Sequence, residues 1–216
     1  MTPRYTALYD ANVLYPSLLR NLLMHLTVSG LVAARWTDAI HDEWGRNLLL
    51  NRPDLGAPRV QRIRDLMEQA VPDARVTDYE SLIAGLSLPD PDDRHVLAAA
   101  IHAQADVIVT LNLKDFPQEH LEPYGVQVMT PDTLLLALLE AEPLATRDAL
   151  EGLRGSFRRP PVTWGELTER LAQAGLVRSM AEISNTDSAK FLHSRNYTAC
   201  ASISRNPYLF LLLSVG

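Results

Sequence analysis

The sequence predicts an α/β sandwich on a largely parallel sheet, followed by a small helical appendage. Three observations carry this. Short apolar segments that read as buried strands recur at residues 5–9, 31–34, 106–110 and 125–129, and helical segments separate them. After Glu142 the alternation stops and only helical signals continue.

Residues 5–9 read as a buried strand that Asp10 ends. Pro16 opens a helix with Leu18, Leu19, Leu22, Leu23 and Leu26 on one broad face, and Gly30 stops it. A short strand at 31–34 leads to Thr37, which is placed to cap a helix through about residue 50. Val60, Ile63, Leu66 and Met67 have the spacing of a third helix, Val76 lies in a short strand-like piece, and residues 79–86 form a brief helix. Pro89-Asp90-Pro91-Asp92-Asp93 is a turn that feeds an Ala-rich, buried helix over 93–104. The clearest central strand is 106–110, a second is 125–129, and Thr130-Pro131-Asp132 starts the next helix. Residues 144–153 look helical, Arg158-Arg159-Pro160-Pro161 breaks them, and Thr163-Trp164-Gly165-Glu166 has capping-box spacing for a helix that Gly175 ends. From Asn185 the composition shifts to Ser, Asn, Thr and aromatics. That tail reads either as a divergent terminus or as translated sequence from outside the original frame. The expected organisation is a core at 1–142, a helical appendage at 143–184 and a tail at 185–216.

The 216 residues suit one domain with an appendage, and 47% hydrophobic content supplies a sizeable core. The formal charge of -6 is unlike that of a typical nucleic-acid binder, because phosphate contacts are made mostly by Lys and Arg. A carboxylate cluster awaiting divalent cations would contribute to such a charge. Cys200 is the single cysteine, which excludes an intrachain disulfide and a Cys-rich zinc site and fits a reducing cytoplasm. No signal peptide and no bilayer-length apolar run is apparent, so no membrane association is expected.

Hard cations take oxygen ligands, and hydrolysis by an activated water needs several carboxylates converging on one or two ions. Asp10 ends an apolar strand, where it serves as a ligand or as a cap for the segment after it. Glu43 shares a helical face with Ile40, Trp44 and Asn47, yet most helical Glu side chains are simply solvated. Asp90, Asp92 and Asp93 all suit a helix N-terminus, and Asp115 suits a loop.

Taken together, four segments resemble the PIN-domain family, including the bacterial toxins of the VapC type and their longer relatives. Leu8-Tyr9-Asp10-Ala11-Asn12-Val13-Leu14 resembles the first-strand motif, and Thr37-Asp38-Ala39-Ile40-His41-Asp42-Glu43-Trp44 the helical Glu motif. In the segment from Asp90 to Ala100, the apolar Val96 and Leu97 and the small Ala100 select Asp93 over Asp92. Val107-Ile108-Val109-Thr110-Leu111-Asn112-Leu113-Lys114-Asp115-Phe116 resembles the fourth motif. The likeness covers roughly the first two-thirds of the chain. It implies a three-layer α/β/α sandwich, Mg²⁺ or Mn²⁺ at the acidic cluster, RNA hydrolysis and a protein antitoxin. Asp10, Glu43, Asp93 and Asp115 would then hold the cations, with Asn12, Thr110 and Asn112 supporting them. A homodimer is a further expectation from the family.

Arg59, Arg62, Arg94 and Lys114 are candidate RNA contacts, joined by Arg46, Arg52 and Arg64. A mixed solvated face explains the same arginines, and Arg158 and Arg159 could meet RNA or a partner. The six histidines show no zinc-ligand spacing and read mostly as surface or satisfied core residues; the neighbours of His41 and His95 would also allow those two to stand behind the acidic cluster, a reading placed second. A non-catalytic RNA- or protein-binding module of the same fold is the main rival. A phosphotransfer domain or an Asp-x-Asp phosphatase fails at position 12, where Asn stands instead of a second acid.

Overall fold

The computed structural model describes residues 4–190, with side chains through residue 185. The expected tail from 191 onward lies outside the described residues.

Four short strands, β1 (Tyr5–Tyr9), β2 (Val32–Arg35), β3 (Val107–Val109) and β4 (Gln127–Met129), form one sheet in the order β2-β1-β3-β4. Every pairing is parallel. Parallel neighbours need crossover connections, and helices supply them. Between β1 and β2 run a single turn, α1 (Ala11–Leu14), and α2 (Ser17–Val28). Between β2 and β3 run α3 (Asp38–Asn51), α4 (Ala57–Ala70), α5 (Glu80–Ile83) and α6 (Arg94–His102), and α7 (Gln118–Leu121) precedes β4. The result is the α/β/α sandwich the sequence implied. The middle of the sheet is buried, as expected of a parallel sheet covered on both faces: Ala7, Leu8 and Tyr9 of β1 and all of β3 have no exposed surface, while Tyr5 and Thr6 at the start of β1 are half-buried.

The local signals act where the sequence placed them. Thr37 caps α3 by accepting from Ile40 N at 3.1 Å, and Gly30 takes the left-handed turn (φ 75°) between α2 and β2. Some elements differ from expectation. The piece around Val76 forms no strand; Arg75 makes only an isolated bridge to Trp36, beyond the end of β2. Asp93 lies in a 3-10 turn, Pro91–Asp93, and the regular helix starts one residue later.

After β4 come α8 (Pro131–Ala141), α9 (Pro143–Ser156), α10 (Trp164–Gln173) and α11 (Val177–Lys190). The capping box at Thr163 and Glu166 is fully formed. The sequence reading had no counterpart for α11, whose backbone runs past the composition change at Asn185. Asp132 of α8 explains its position. Its carboxylate accepts from Arg178 N (3.1 Å) and Ser179 N (2.9 Å), capping the start of α11 through a tertiary contact that no local spacing reveals. α9 packs on α2 and α8 packs on α11, so the C-terminal helices are built onto the sandwich. Among the described residues no helix is long and apolar enough to cross a membrane.

Candidate active site

In open parallel sheets the crevice for a ligand opens at the carboxyl ends of strands, where connections leave in opposite directions. Here β1 has β2 on one side and β3 on the other, so that point lies between the ends of β1 and β3. Asp10 follows β1 and Thr110 follows β3, and the two side chains meet.

Asp10 is buried, and its backbone N–H still belongs to the sheet, donating to Val109 O at 3.1 Å. Its Oδ1 accepts from Ala11 N at 2.7 Å, which caps α1. Its Oδ2 accepts from the Thr110 hydroxyl at 2.7 Å and from Asn12 Nδ2 at 2.5 Å. Thr110 Oγ1 in turn accepts from Asn12 Nδ2 at 2.8 Å and from Asn112 N at 3.0 Å, while Asn12 Oδ1 accepts from Leu111 N at 2.9 Å. A hydroxyl has one proton and two lone pairs, so Thr110 is saturated and has one orientation available. Asn112 also donates to the Asp115 carboxylate. Asn12, Thr110 and Asn112, expected from the sequence as supporting groups, each make a side-chain hydrogen bond within this network. A carboxylate has about four acceptor sites; Asp10 has three filled by these partners and one left.

The other two carboxylates arrive without such support. Glu43 stands on α3 and Asp93 on the turn before α6, and none of the described hydrogen bonds ends on either carboxylate. They nevertheless share the field of the first pair. Burial pushes Asp93 up to about 7, helped by repulsion from Asp10, Asp90, Asp115 and Glu43 in that order. Burial also raises Glu43, with Asp10 adding to the shift and Arg46 opposing it. Asp10 itself is raised by burial and by Asp115, against its hydrogen bonds to Thr110, Ala11 and Asn12. Asp10, Glu43, Asp93 and Asp115 therefore form one electrostatic cluster, drawn from four separate chain segments.

Among the described residues, no three His, Cys, Asp or Glu side chains stand close enough to chelate one ion directly. The donor set still fits a hard divalent cation. It is all oxygen, and Mg²⁺ usually keeps several waters and takes only one or two carboxylates directly. The mutual repulsion that raises Asp93 is also the field a dication would relieve.

The basic candidates separate. Lys114 is exposed in the 3-10 turn Leu113–Asp115, beside Asp115. Arg94 bends back, its Nε donating to Pro91 O at 2.8 Å. Arg52 and Arg64 are engaged by Asp54 and Asp42, whereas Arg46 is exposed one turn beyond Glu43. Arg59 is half-buried and Arg62 exposed on α4, which packs against α3.

Of the histidines, His41 fits the sequence reading and His25 corrects it. His41 is a satisfied core residue: Nδ1 accepts from Trp44 Nε1 at 2.9 Å, and Nε2 faces Glu68 at 3.3 Å. His25 is buried with neither nitrogen partnered, and burial lowers it to about 4. His95, set aside from the sequence, faces the acidic cluster, with Nε2 4.0 Å from Glu43 Oε2. Its place two residues after Asp93 was visible, but its approach to α3 is purely tertiary.

Fold and site together define a class: parallel α/β proteins that gather carboxylates at the switch point of the sheet. A family model described as PIN domain matches residues 6–114, and this chain belongs to the PIN-domain family. A second, described as VapC50 C-terminal domain, matches residues 131–185, the stretch from α8 into α11. A Mycobacterium tuberculosis protein carrying the provisional name ribonuclease VapC50 is 40% identical over 95 residues, which is 44% of this chain and 56% of that relative. The chain thus matches little more than half of that relative's length. No solved structure gives a significant match.

Proposed function

We propose that this protein is a divalent-cation-dependent endoribonuclease that hydrolyses RNA phosphodiester bonds and serves as the toxin of a toxin–antitoxin pair. Asp10, Glu43, Asp93 and Asp115 are its cation-holding and catalytic residues, with Mg²⁺ or Mn²⁺ as the ion. The observation carrying this reading is the convergence of the four carboxylates, with Asp93 pushed up to about 7 by burial and its acidic neighbours. The PIN-domain match and the name of the Mycobacterium tuberculosis relative agree with it.

When bound, the cation supplies activation of the attacking water and offsets charge on the phosphate. The chain's own groups do the positioning. Thr110 and Asn12 fix the Asp10 carboxylate and leave one acceptor site for the cation or its water. Asn112 holds Asp115, and Lys114 on the same turn meets a phosphate oxygen. Asp93, pushed up to about 7 by burial and its acidic neighbours, would help hold the cation, and Glu43 would complete the acidic wall from α3. Arg46 follows Glu43 on α3 and balances its charge.

Residues 1–142 are read as the nuclease and 143–184 as a helical appendage that, with the face carrying Arg59 and Arg62, meets RNA or the antitoxin. A homodimer in the cytoplasm completes the proposal. The test is cleavage of a labelled single-stranded RNA by purified protein with Mg²⁺, with Mn²⁺ and with EDTA. Cutting that EDTA abolishes is expected. A folded protein that binds cations but cuts no RNA, free of any bound inhibitor, contradicts the nuclease reading and favours a binding module of the same fold.

A further inference from the structure

We infer that His95 is a positioning residue for Glu43, holding that carboxylate toward the other three; the inference rests on reading the four carboxylates as a cation site. Glu43 is the member of the cluster most in need of a tether. It has the longest side chain of the four, that side chain is 41% exposed, and repulsion from Asp10 favours its swinging out to water. None of the described hydrogen bonds restrains it. His95 stands on the first turn of α6 and reaches across to α3, where its Nε2 lies 4.0 Å from Glu43 Oε2. No other described hydrogen bond or ion pair joins α3 to α6.

The ring also carries a structural penalty that nothing nearby offsets. His95 Nδ1 is buried with no partner, and a buried polar group left unpaired destabilises the fold. An apolar side chain would fill the same space without it, so the benefit of imidazole must arise at the other nitrogen. A neutral ring has one N–H and one lone pair. With the lone pair on the buried Nδ1, the N–H is on Nε2 and points at Glu43. The gap is about 1 Å longer than a hydrogen bond, which rotation about the flexible Glu43 side chain closes. Asp93 ends the turn that leads into His95, so the same segment carries one ligand and steadies another.

The experiment is a calorimetric Mn²⁺ titration of the full chain, without RNA, for the parent, His95→Leu and His95→Gln, with thermal unfolding recorded for each. Groups that orient a ligand typically contribute 10- to 100-fold to metal affinity. His95→Leu is expected to bind Mn²⁺ at least about 10-fold more weakly while unfolding no earlier than the parent. His95→Gln keeps an N–H donor and is expected to stay within about threefold of the parent. Parent-like Mn²⁺ binding by His95→Leu, or equal damage in both variants, overturns the inference. Binding is read without RNA, so a parent that binds Mn²⁺ but cuts nothing sinks the nuclease reading alone. A parent that binds no Mn²⁺ sinks both.

Discussion

The two halves of the acidic cluster are built differently. Asp10 and Asp115 sit in a closed hydrogen-bond system in which Thr110, Asn12 and Asn112 each have a defined partner. Glu43 and Asp93 come from α3 and the turn before α6 with no described hydrogen bond to either carboxylate, and among the described ion pairs His95 alone faces Glu43. The first pair is preorganised by two strand ends that the sheet already holds in register. The second pair is placed by helix packing and left adjustable. A site that admits both a hydrated cation and a phosphate benefits from that division: one wall fixes the geometry, and the other closes on what enters.

The largest expected effect comes from removing a charge from either half. Asp10→Asn and Asp93→Asn should each lower RNA cleavage by about 100- to 1,000-fold, because a lost ligand removes several kcal/mol of transition-state stabilisation. Single-turnover kinetics check this, with circular dichroism to confirm folding. Equal rates in parent and mutant would mean that the assigned cluster is wrong.

Next in size is the support of the fixed half. Thr110→Val keeps the shape but removes the hydroxyl that donates to Asp10 and accepts from Asn12 and Asn112. A loss of about 10-fold in cleavage and about 1–2 kcal/mol in stability is expected, measured by cleavage rate and urea unfolding. If stability falls but the rate does not, the network serves the fold and not the site. Asn112→Ala breaks only the bond to Asp115 and should give a smaller drop in rate, of about threefold, in the same assay.

The smallest effect is on stability and belongs to the adjustable half. Burial, with repulsion from its acidic neighbours, pushes Asp93 up to about 7 from an ordinary 3.8, so between these limits the folded state binds more protons than the unfolded state. Its contribution to stability therefore falls as pH rises from about 4 to 7 and stays low above. Asp93→Asn should stabilise the cation-free protein by about 1 kcal/mol at pH 8, a figure reduced for solvent screening of a half-exposed group, and by little near pH 4. Thermal unfolding at the two pH values checks it. A mutant no more stable than the parent at pH 8 would show that the carboxylates do not repel one another as described.

Much of this was legible in the sequence, for identifiable reasons. Strands and caps follow from local chemistry: the apolar run before Asp10, the Thr37 cap and the Thr163–Glu166 box all act within a few residues. Asp10, Asn12, Thr110 and Asn112 could be named from motif order, because the sheet register leaves strand ends little freedom. What stayed hidden depends on distant packing. Asp132 capping α11, Arg94 turning back to Pro91, and His95 reaching from α6 to Glu43 are each set by helices meeting in space. The unsatisfied burial of His25 is of the same kind, since nothing in its local pattern marks it as lacking a partner.

The central claim, that four carboxylates form one cation-dependent nuclease site, is tested most directly by the rate of single-stranded RNA cleavage as a function of Mn²⁺ concentration at pH 8, for the parent and Asp93→Asn. The account predicts saturable, EDTA-sensitive cleavage by the parent, with a rate at least about 100-fold lower for the mutant across the titration. Cleavage that does not depend on Mn²⁺, or a mutant that matches the parent at every concentration, would contradict it.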